Sequence, residues 1–224
     1  MLIVLENVLT MDEFAAVRRQ VELAKFVSGA VSAGEGSRTR KHNLQISEQD
    51  AVLPGLQKTV LTALARHQIF QFLAVPKHVM PPMLNRYDVG MYYQNHVDFS
   101  LISGGGGNKI RTDLSMTLFL SGREEYDGGE LVVESVDGTQ MIKLEKNQAI
   151  VYPSGQLHRA NPVTRGTRLA AVTTIQSFIR DESKRELLAD VIKLSQAVQD
   201  MSPQSDEARL VNKIYANLLR FWAE

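Results

Sequence analysis

The chain of 224 residues balances 25 Lys and Arg residues against 25 Asp and Glu residues, is 44% hydrophobic and contains no cysteine. These values are typical of a globular chain with a sizeable core and exclude collagen-like, disulfide-scaffold and intrinsically disordered proteins. Because the formal net charge is zero, the chain lacks the excess of Lys and Arg with which dedicated binders hold nucleic acids or anionic membranes, and we expect neither partner.

The first 77 residues predict a helical support region packed on a core. Thr10 and Glu13 have the capping-box spacing at the start of an amphipathic helix that extends to about residue 26. Pro54 stands at a first helical position and opens a second helix. Between the helices, the Gly- and Ser-rich segment 27–45 carries a basic run that we expect to be solvated. This run consists of Arg38, Arg40, Lys41 and His42.

Residues 78–180 predict a mainly β core. Short segments rich in Val, Leu, Ile and Thr are separated by turn residues and show no βαβ pattern. This organisation favours an antiparallel sandwich or barrel over a Rossmann-type sheet. The predicted strands span residues 83–89, 114–120, 130–135, 140–144, 149–152 and 168–178.

Residues 181–224 return to the helical period and predict a helical hairpin. Ser183 and Glu186 have the capping-box spacing before the first helix, and Pro203 separates it from the second. The apolar stripes of these helices suit packing either on the β core of the same subunit or on a second copy, so a homodimer is one of two alternatives.

The N-terminal sequence shows no targeting segment. The apolar run of residues 2–5 ends at Glu6 and is shorter than the hydrophobic region of a signal peptide. No stretch approaches the roughly 18 uncharged residues of a membrane span. We therefore expect no membrane association and a cytoplasmic location.

Candidate metal ligands lie within the predicted β core. Since the chain has no cysteine, ligands must come from His, Asp and Glu side chains. His96 and Asp98 stand two residues apart, and such residues project to the same face of an extended strand. His158 directly follows a turn at the end of another strand. Two histidines and one carboxylate form the facial set that leaves open positions on a non-haem Fe(II), although zinc accepts similar ligands.

Arg168 favours an iron site that also binds an organic acid. It begins the predicted strand 168–178, where a side chain directed into the core would be buried. A buried guanidinium needs an anionic partner, and its planar fork suits the two oxygens of a carboxylate. We therefore expect a carboxylate ligand near the metal.

Several short motifs, in one order along the chain, resemble the Fe(II)- and 2-oxoglutarate-dependent dioxygenases. More narrowly, the chain is similar to the bacterial PKHD-type hydroxylases, PiuC-like relatives of the prolyl hydroxylases that are often associated with iron uptake. The resemblance covers nearly the whole chain and is most specific over residues 157–168 and 176–180. The motifs are Tyr87, His96-Val97-Asp98, Asp127-Gly128-Gly129-Glu130-Leu131, Tyr152-Pro153-Ser154, His158 and Arg168.

The resemblance implies a fold and a set of site residues. The fold is a double-stranded β-helix, or jelly roll, flanked by the N-terminal helices and the C-terminal hairpin. The resemblance implies that His96, Asp98 and His158 bind Fe(II). It also implies that Arg168 binds the distal carboxylate of 2-oxoglutarate and that Tyr87 forms a hydrogen bond with the same cosubstrate. Alternatives for the tyrosine are Tyr92, Tyr93 and Tyr152.

The reaction implied by the resemblance consumes O2 and converts 2-oxoglutarate to succinate and CO2 while it hydroxylates an unactivated C–H bond. L-ascorbate is the expected reductant, and the prime substrate is either a peptide or a small molecule. Collagen-type prolyl hydroxylases commonly carry Lys at the position of Arg168, so the resemblance disfavours a collagen-like substrate.

A glycine run shortly after the metal-binding motif is either a connector or a lid over the substrate. It lacks the Lys and Ser or Thr that end a phosphate-binding loop, which excludes a nucleotide site. Arg111, just after this loop, either faces the substrate or carries surface charge. The run consists of Gly104, Gly105, Gly106 and Gly107.

Two other functions remain open. A cupin-like metalloprotein would use the same barrel to hold zinc or another divalent ion in a non-oxygenase or sensing role. A non-catalytic module would use the C-terminal helices to bind partners. Arg168, together with the intact set of candidate metal ligands, favours the oxygenase.

Overall fold

The computed structural model describes residues 2–104, 107–135 and 138–224, without the side chains of residues 35 and 37. Over this range the chain forms five α-helices and 17 β-strands. The helices are α1 (Met11–Leu23), α2 (Leu53–Arg66), α3 (Gln68–Ala74), α4 (Glu182–Met201) and α5 (Asp206–Trp222). The strands are β1 (Ile3–Leu5), β2 (Phe26–Ser28), β3 (Lys41–His42), β4 (Leu44–Ile46), β5 (Pro76–Val79), β6 (Met83–Tyr87), β7 (Tyr92–His96), β8 (Leu101–Ser103), β9 (Lys109–Arg111), β10 (Leu114–Phe119), β11 (Tyr126–Gly128), β12 (Leu131–Ser135), β13 (Gly138–Ile142), β14 (Ala149–Pro153), β15 (His158–Ala160), β16 (Val163–Gly166) and β17 (Arg168–Ser177).

Two antiparallel sheets form a jelly-roll core with flanking helices. The larger sheet has eight strands. Seven of them follow the order β1-β14-β10-β17-β6-β4-β2, and the eighth, β5, also pairs with β17. The smaller sheet has five strands in the order β13-β12-β15-β7-β3. Two further pairs join β11 with β16 and β8 with β9. The six predicted strands are all present, and their ends lie within two residues of the predicted ones.

The alternation of side chains along β10 separates the hydrophobic core from a polar interior. Leu114, Met116 and Leu118 pack with residues of α1, α2 and α3 in the main core. Ser115 and Thr117 project from the opposite face of the strand and are also buried, Thr117 at the wall of a cavity between the two sheets. Buried hydroxyls need hydrogen-bond partners, so these two residues mark a polar site inside the β core.

Two predicted helix boundaries are wrong. Helix α1 begins with the predicted capping box but ends before Phe26, because the backbone of Phe26 pairs with Ile46 in β4 instead of continuing the helix. The N-cap of α4 is Asp181 and not Ser183. The Asp181 carboxylate accepts a hydrogen bond from the Lys184 amide at 3.0 Å.

The segment 27–45 contributes strands to both sheets. Strands β2 and β4 extend the larger sheet, and β3 pairs with β7 at the edge of the smaller one. Lys41 in β3 is buried, so the prediction of a solvated basic run is wrong at this residue. The division of the chain at residues 77 and 180 stays a prediction.

The C-terminal helices form the predicted hairpin against their own chain. Ser195 in α4 donates a hydrogen bond to Asn212 in α5 at 2.9 Å, and the ring of Tyr215 in α5 contacts Phe72 in α3. Apolar side chains remain exposed on both helices, and the homodimer stays a prediction. None of the described helices is both long enough and apolar enough to cross a membrane.

An ion pair between α1 and α2 makes stability depend on pH. The Glu13 carboxylate accepts hydrogen bonds from the Thr10 amide at 2.9 Å and from the Arg66 guanidinium at 2.8 Å. The hydrogen bonds from Arg66 are the main cause that lowers the pKa of Glu13 from 4.5 to about 2. Because folding lowers this pKa, the carboxylate stabilises the folded state above pH 4.5, and its contribution is lost as the pH falls toward 2.

We expect Glu13→Gln to lower the free energy of unfolding by roughly 0.5–1 kcal/mol at neutral pH, a value limited by the partial exposure of the ion pair. Urea denaturation at pH 7 and pH 3 measures the difference, which should shrink at the lower pH. Glu22→Gln, at an exposed position of the same helix, is the control. An equal loss at both pH values would contradict this prediction.

Candidate metal centre

Two strands of the smaller sheet bring the candidate histidines together. His158 in β15 is the Cα partner of His96 at the end of β7, and their ring centroids lie 4.2 Å apart. The strand ends at His96, so the strand geometry expected for the pair does not extend to Asp98. Instead, the Asp98 amide donates a hydrogen bond to the Ser154 carbonyl at 3.4 Å, which places the carboxylate beside the two rings.

Backbone carbonyls orient both imidazole rings. Nδ1 of His96 donates to the carbonyl of Gln94 at 2.8 Å, and Nδ1 of His158 donates to the carbonyl of Gln156 at 2.9 Å. Because a carbonyl only accepts, each neutral ring carries its proton on Nδ1 and has a lone pair on Nε2. The two Nε2 atoms lie 4.0 and 3.8 Å from Oδ1 of Asp98.

Two buried serines hold the carboxylate of Asp98. The Ser115 hydroxyl donates a hydrogen bond to Asp98 Oδ2, and Ser115 Oγ lies 2.7 Å from Ser154 Oγ. Both serines are buried. Since Oδ2 is engaged in this way, Oδ1 is the oxygen that faces the histidines.

Aromatic rings enclose the histidines. Tyr93 stacks on His96 with centroids 3.5 Å apart, and Tyr152 meets His158 edge-on at 5.2 Å. Burial, followed by the neighbouring His158, lowers the pKa of His96, so this ring is neutral at neutral pH. A neutral imidazole is the form that binds a metal ion.

The cluster fits a divalent metal ion. The ligand atoms of His96, Asp98 and His158 all lie within 4.8 Å of one another. In the described part of the chain, no other group of His, Asp and Glu side chains has this arrangement. Two imidazole nitrogens and one carboxylate oxygen suit both Fe(II) and zinc. The ligand set alone therefore does not choose between the two metals.

Arg168 is the second feature of the site. It begins β17, is 2% exposed and lines the cavity that contains the three candidate ligands. Its guanidinium lies over the rings of Tyr87 and Phe119, at 4.9 and 5.5 Å from their centroids. Among the described residues, neither Nε of Arg168 nor the buried hydroxyl of Tyr126 has a hydrogen-bond partner. The described residues provide no ion pair for this buried guanidinium, which is unfavourable, so the cavity suits an anionic ligand.

The paired glycines of the Asp-Gly-Gly motif leave space for Arg168. Gly129 has a φ of +64°, and a Cβ at this position would lie 3.2 Å from Cδ of Arg168 and 2.9 Å from Cγ2 of Val163. Gly128 has a φ of +68°, and its Cβ would lie 2.2 Å from the carbonyl oxygen of Pro162. Both the backbone conformation and the close contacts therefore require glycine.

The cavity between the sheets has room for organic ligands as well as a metal. Its volume is about 640 Å³, within the usual range for small-molecule pockets. Tyr87 is buried and is the Cα partner of Arg168 in the pairing of β6 with β17. Burial raises the pKa of Tyr87, an effect that Arg168 opposes, so its hydroxyl keeps its proton at neutral pH.

Comparison with known proteins agrees with this geometry. Residues 82–176 match the family described as the 2OG-Fe(II) oxygenase superfamily. The chain is 41% identical over 226 residues to a PKHD-type hydroxylase of Methylobacterium nodulans and 43% identical over 229 residues to one of Gluconobacter oxydans. Both matches cover the full length of this chain and of the relative. The chain belongs to the PKHD-type hydroxylase family.

Membership of the PKHD-type hydroxylases makes this chain a 2-oxoglutarate-dependent dioxygenase, and the family implies Fe(II), 2-oxoglutarate and O2. A solved prolyl-4-hydroxylase of Pseudomonas putida is 18% identical, with a TM-score of 0.53. That match covers 79% of this chain and 92% of the other. At this identity the likeness concerns the fold alone, and it confirms the predicted jelly roll with flanking helices.

Lys41 lines the same cavity although sequence reasoning assigned it to solvent. The residue is 6% exposed, and its Nζ lies 5.4 Å from the centroid of Tyr93. Burial lowers the pKa of Lys41 to about 8, and the charge of Asp98 opposes this shift. No clear sequence signal marks Lys41, whereas the polar Ser115 within the apolar run of β10 is a signal that could have been used.

Arg111 does not line the cavity in the described structure. Its Nε donates to Oδ1 of Asp113 at 2.6 Å, and a second nitrogen donates to Oδ2 at 3.1 Å and to the carbonyl of Ser177 at 3.3 Å. These hydrogen bonds to Asp113 raise the pKa of Arg111. The side chain is therefore engaged in a structural ion pair, which gives no support to a substrate contact.

Of the glycine run, the described residues Gly104 and Gly107 do not line the cavity. Gly105 and Gly106 lie outside the described residues. Ile102 and Ser103, in the preceding strand β8, line the cavity. A lid formed by this run stays a prediction.

Ser115→Ala should weaken metal binding by about 10–100-fold, because Asp98 loses the hydrogen bond that holds Oδ2. Titration with Mn(II), followed by the EPR signal of the free ion, measures this affinity. Ser121→Ala is the matched control, since it removes another buried hydroxyl, which donates to the Thr167 carbonyl at 2.9 Å. Equal losses in the two variants would show that the effect comes from packing.

Proposed function

We propose that this chain hydroxylates an unactivated C–H bond of a peptide or small molecule, with 2-oxoglutarate as cosubstrate. The main support is that one cavity contains the candidate metal ligands and a buried arginine, whose Nε has no hydrogen-bond partner among the described residues. A metal held by three protein side chains keeps positions for a cosubstrate and for O2. A buried guanidinium can neutralise the far end of a dicarboxylate.

His96, Asp98 and His158 would hold the iron. With 2-oxoglutarate and O2, bound Fe(II) supplies the oxidising power that attack on an unactivated C–H bond needs. The protein orients the ligands through the Gln94 and Gln156 carbonyls and through Ser115. The rings of Tyr93 and Tyr152, which pack on the two histidines, would limit the access of water to the reacting groups and so limit side reactions.

Arg168 and Tyr87 would bind the distal carboxylate of 2-oxoglutarate. The guanidinium is held over two aromatic rings, so it is oriented before the ligand arrives. Tyr87 lies beside it and keeps its proton, which makes its hydroxyl a donor. Such pre-oriented donors suit a carboxylate that must leave water.

The proposed reaction balances without a further oxidant. One O2 and one 2-oxoglutarate are consumed for each hydroxylated product, with release of succinate and CO2. One oxygen atom enters succinate and the other enters the product. We also propose L-ascorbate as the reductant that keeps the metal in the ferrous state.

A zinc-binding, cupin-like protein without oxygenase activity is the second candidate. Its support is the ligand set, which zinc accepts as readily as iron. This alternative gives no role to the buried Nε of Arg168. We therefore favour the hydroxylase.

His96→Ala should reduce Fe(II)- and O2-dependent formation of succinate from 2-oxoglutarate by at least about 100-fold, because two remaining ligands hold iron poorly. Slow turnover without a prime substrate is enough for this assay. His78→Ala, at an exposed position on β5, is the control and should retain activity. Equal metal-dependent turnover in the His96 variant and the wild type would contradict the proposal. Wild-type protein that shows no metal-dependent turnover across a broad substrate panel would also contradict it.

Arg168→Met should raise the KM for 2-oxoglutarate by on the order of 100- to 4,000-fold. Loss of one partner from a buried charge pair costs about 3–5 kcal/mol, and each 1.4 kcal/mol is about tenfold in affinity. Arg168→Lys retains the charge without the planar fork and should show a smaller increase. Arg165→Lys is the control, because Arg165 forms an exposed ion pair with Asp127. An unchanged KM in Arg168→Met would contradict this role.

A further inference from the structure

Lys41 is a buried cation close to the metal-ligand cluster. It lies on the edge strand β3, where its backbone pairs with Tyr93 in the ligand-bearing strand β7. The residue is 6% exposed and lines the cavity that contains the candidate ligands. The Tyr93 ring contacts both regions, since its centroid is 5.4 Å from Nζ of Lys41 and 3.5 Å from the centroid of His96.

The described partners of the Lys41 ammonium are neutral. Nζ donates to Ser32 Oγ at 2.7 Å, and Ser32 Oγ lies 2.7 Å from Oε1 of Gln45. An ammonium has three N–H donors, of which this contact uses one. Within the described side chains, no carboxylate forms an ion pair with Lys41, and Glu48, which also lines the cavity, is exposed.

The other charges near Lys41 already have roles under the proposed function. Asp98, whose charge acts on Lys41, is a metal ligand, and Arg168 binds the cosubstrate. Once both are engaged, Lys41 remains a buried positive charge for which the described side chains provide no counter-charge. This arrangement is unfavourable unless another anion enters the cavity.

We propose that Lys41 binds a carboxylate of the prime substrate, so that the substrate is a carboxylic acid. The inference rests on the proposed function, because it assigns an anchor to the substrate of that reaction. The Tyr93 ring is close to both Lys41 Nζ and the metal ligand His96, so a carboxylate anchored on Lys41 would lie near the metal ligands. Carbon atoms a few bonds from the carboxylate would then lie next to the metal.

A carboxylate matches this anchor better than a phosphate does. One ammonium beside one hydroxyl balances a single negative charge, whereas a phosphate monoester carries about −1.5 to −2 at neutral pH. Arg159, another cation on the wall of the cavity, is already bonded to Asn161 at 3.0 Å and paired with Glu134 at 3.4 Å. With Arg168 assigned to the cosubstrate, the described residues of the cavity offer no second free cation beside Lys41 for a doubly charged group.

The test measures binding of matched acids and amides to the protein saturated with Fe(II) and 2-oxoglutarate under argon. The probes are butyrate and butyramide, benzoate and benzamide, and N-acetylproline and N-acetylprolinamide, the last pair representing a peptide C-terminus. The shift of the melting temperature with probe concentration gives the half-saturation point. The variants are Lys41→Met, Lys41→Gln and, as a control at an exposed position of α2, Lys58→Met.

We expect at least one acid, but not its amide, to raise the melting temperature of the wild type and of Lys58→Met. Half-saturation should then be at least ten-fold weaker in Lys41→Met and Lys41→Gln. N-acetylproline acting alone among the acids would indicate a peptide substrate, and butyrate or benzoate acting alone would indicate a small molecule. The comparison of acid with amide on the wild type stands even where a variant fails to fold.

Three results would overturn the proposal. The first is that no acid stabilises the wild type, and the second is that acids and amides stabilise it equally. The third is that folded Lys41 variants bind acids as tightly as the wild type does. A Lys41→Met variant that raises the KM for 2-oxoglutarate as strongly as Arg168→Met would also overturn it, by assigning Lys41 to the cosubstrate. Since binding is read without turnover, a wild type that binds acids but forms no succinate would count against the proposed function alone.

Discussion

The pairing of β7 with β15 is the contact on which the rest of the site depends. It places His96 opposite His158, and a shift of one residue in this register would turn one ring to the other face of the sheet. Backbone carbonyls then orient both rings, and Ser115 from the larger sheet holds Asp98. The site therefore depends on how the two sheets face each other, because no single motif contains all of its parts.

Charge is the second constraint. The whole chain has a formal net charge of zero, yet the cavity buries Arg168 and Lys41 around one partly buried carboxylate, Asp98. An excess of buried positive charge is unfavourable for the protein alone and favours anionic ligands. A dicarboxylate cosubstrate and a substrate carboxylate would each supply part of the missing negative charge. The same cavity thus links the proposed reaction to a class of substrate.

Those parts of the fold and site could be predicted that have local sequence signals or that follow from the resemblance over the whole chain. Strand patterns and turn residues predicted an antiparallel sandwich or barrel, and the family resemblance narrowed this to the jelly roll. The four main candidate residues meet in one cavity. The burial of Lys41 could not be predicted, because β3 has only two residues and because this burial depends on pairing with Tyr93, which is distant in the sequence. Tertiary pairing also ends α1 early, since Phe26 belongs to β2, which pairs with β4. The four candidates are His96, Asp98, His158 and Arg168.

In the proposed function, a metal and 2-oxoglutarate meet in the cavity between the two sheets. Anaerobic titration of the wild-type protein with Fe(II) and then with 2-oxoglutarate tests it most directly. We expect a weak visible charge-transfer band that appears only when both are present and saturates at one equivalent of each per chain. Folded protein that gives no such band at saturating Fe(II) and 2-oxoglutarate would rule out the proposed site.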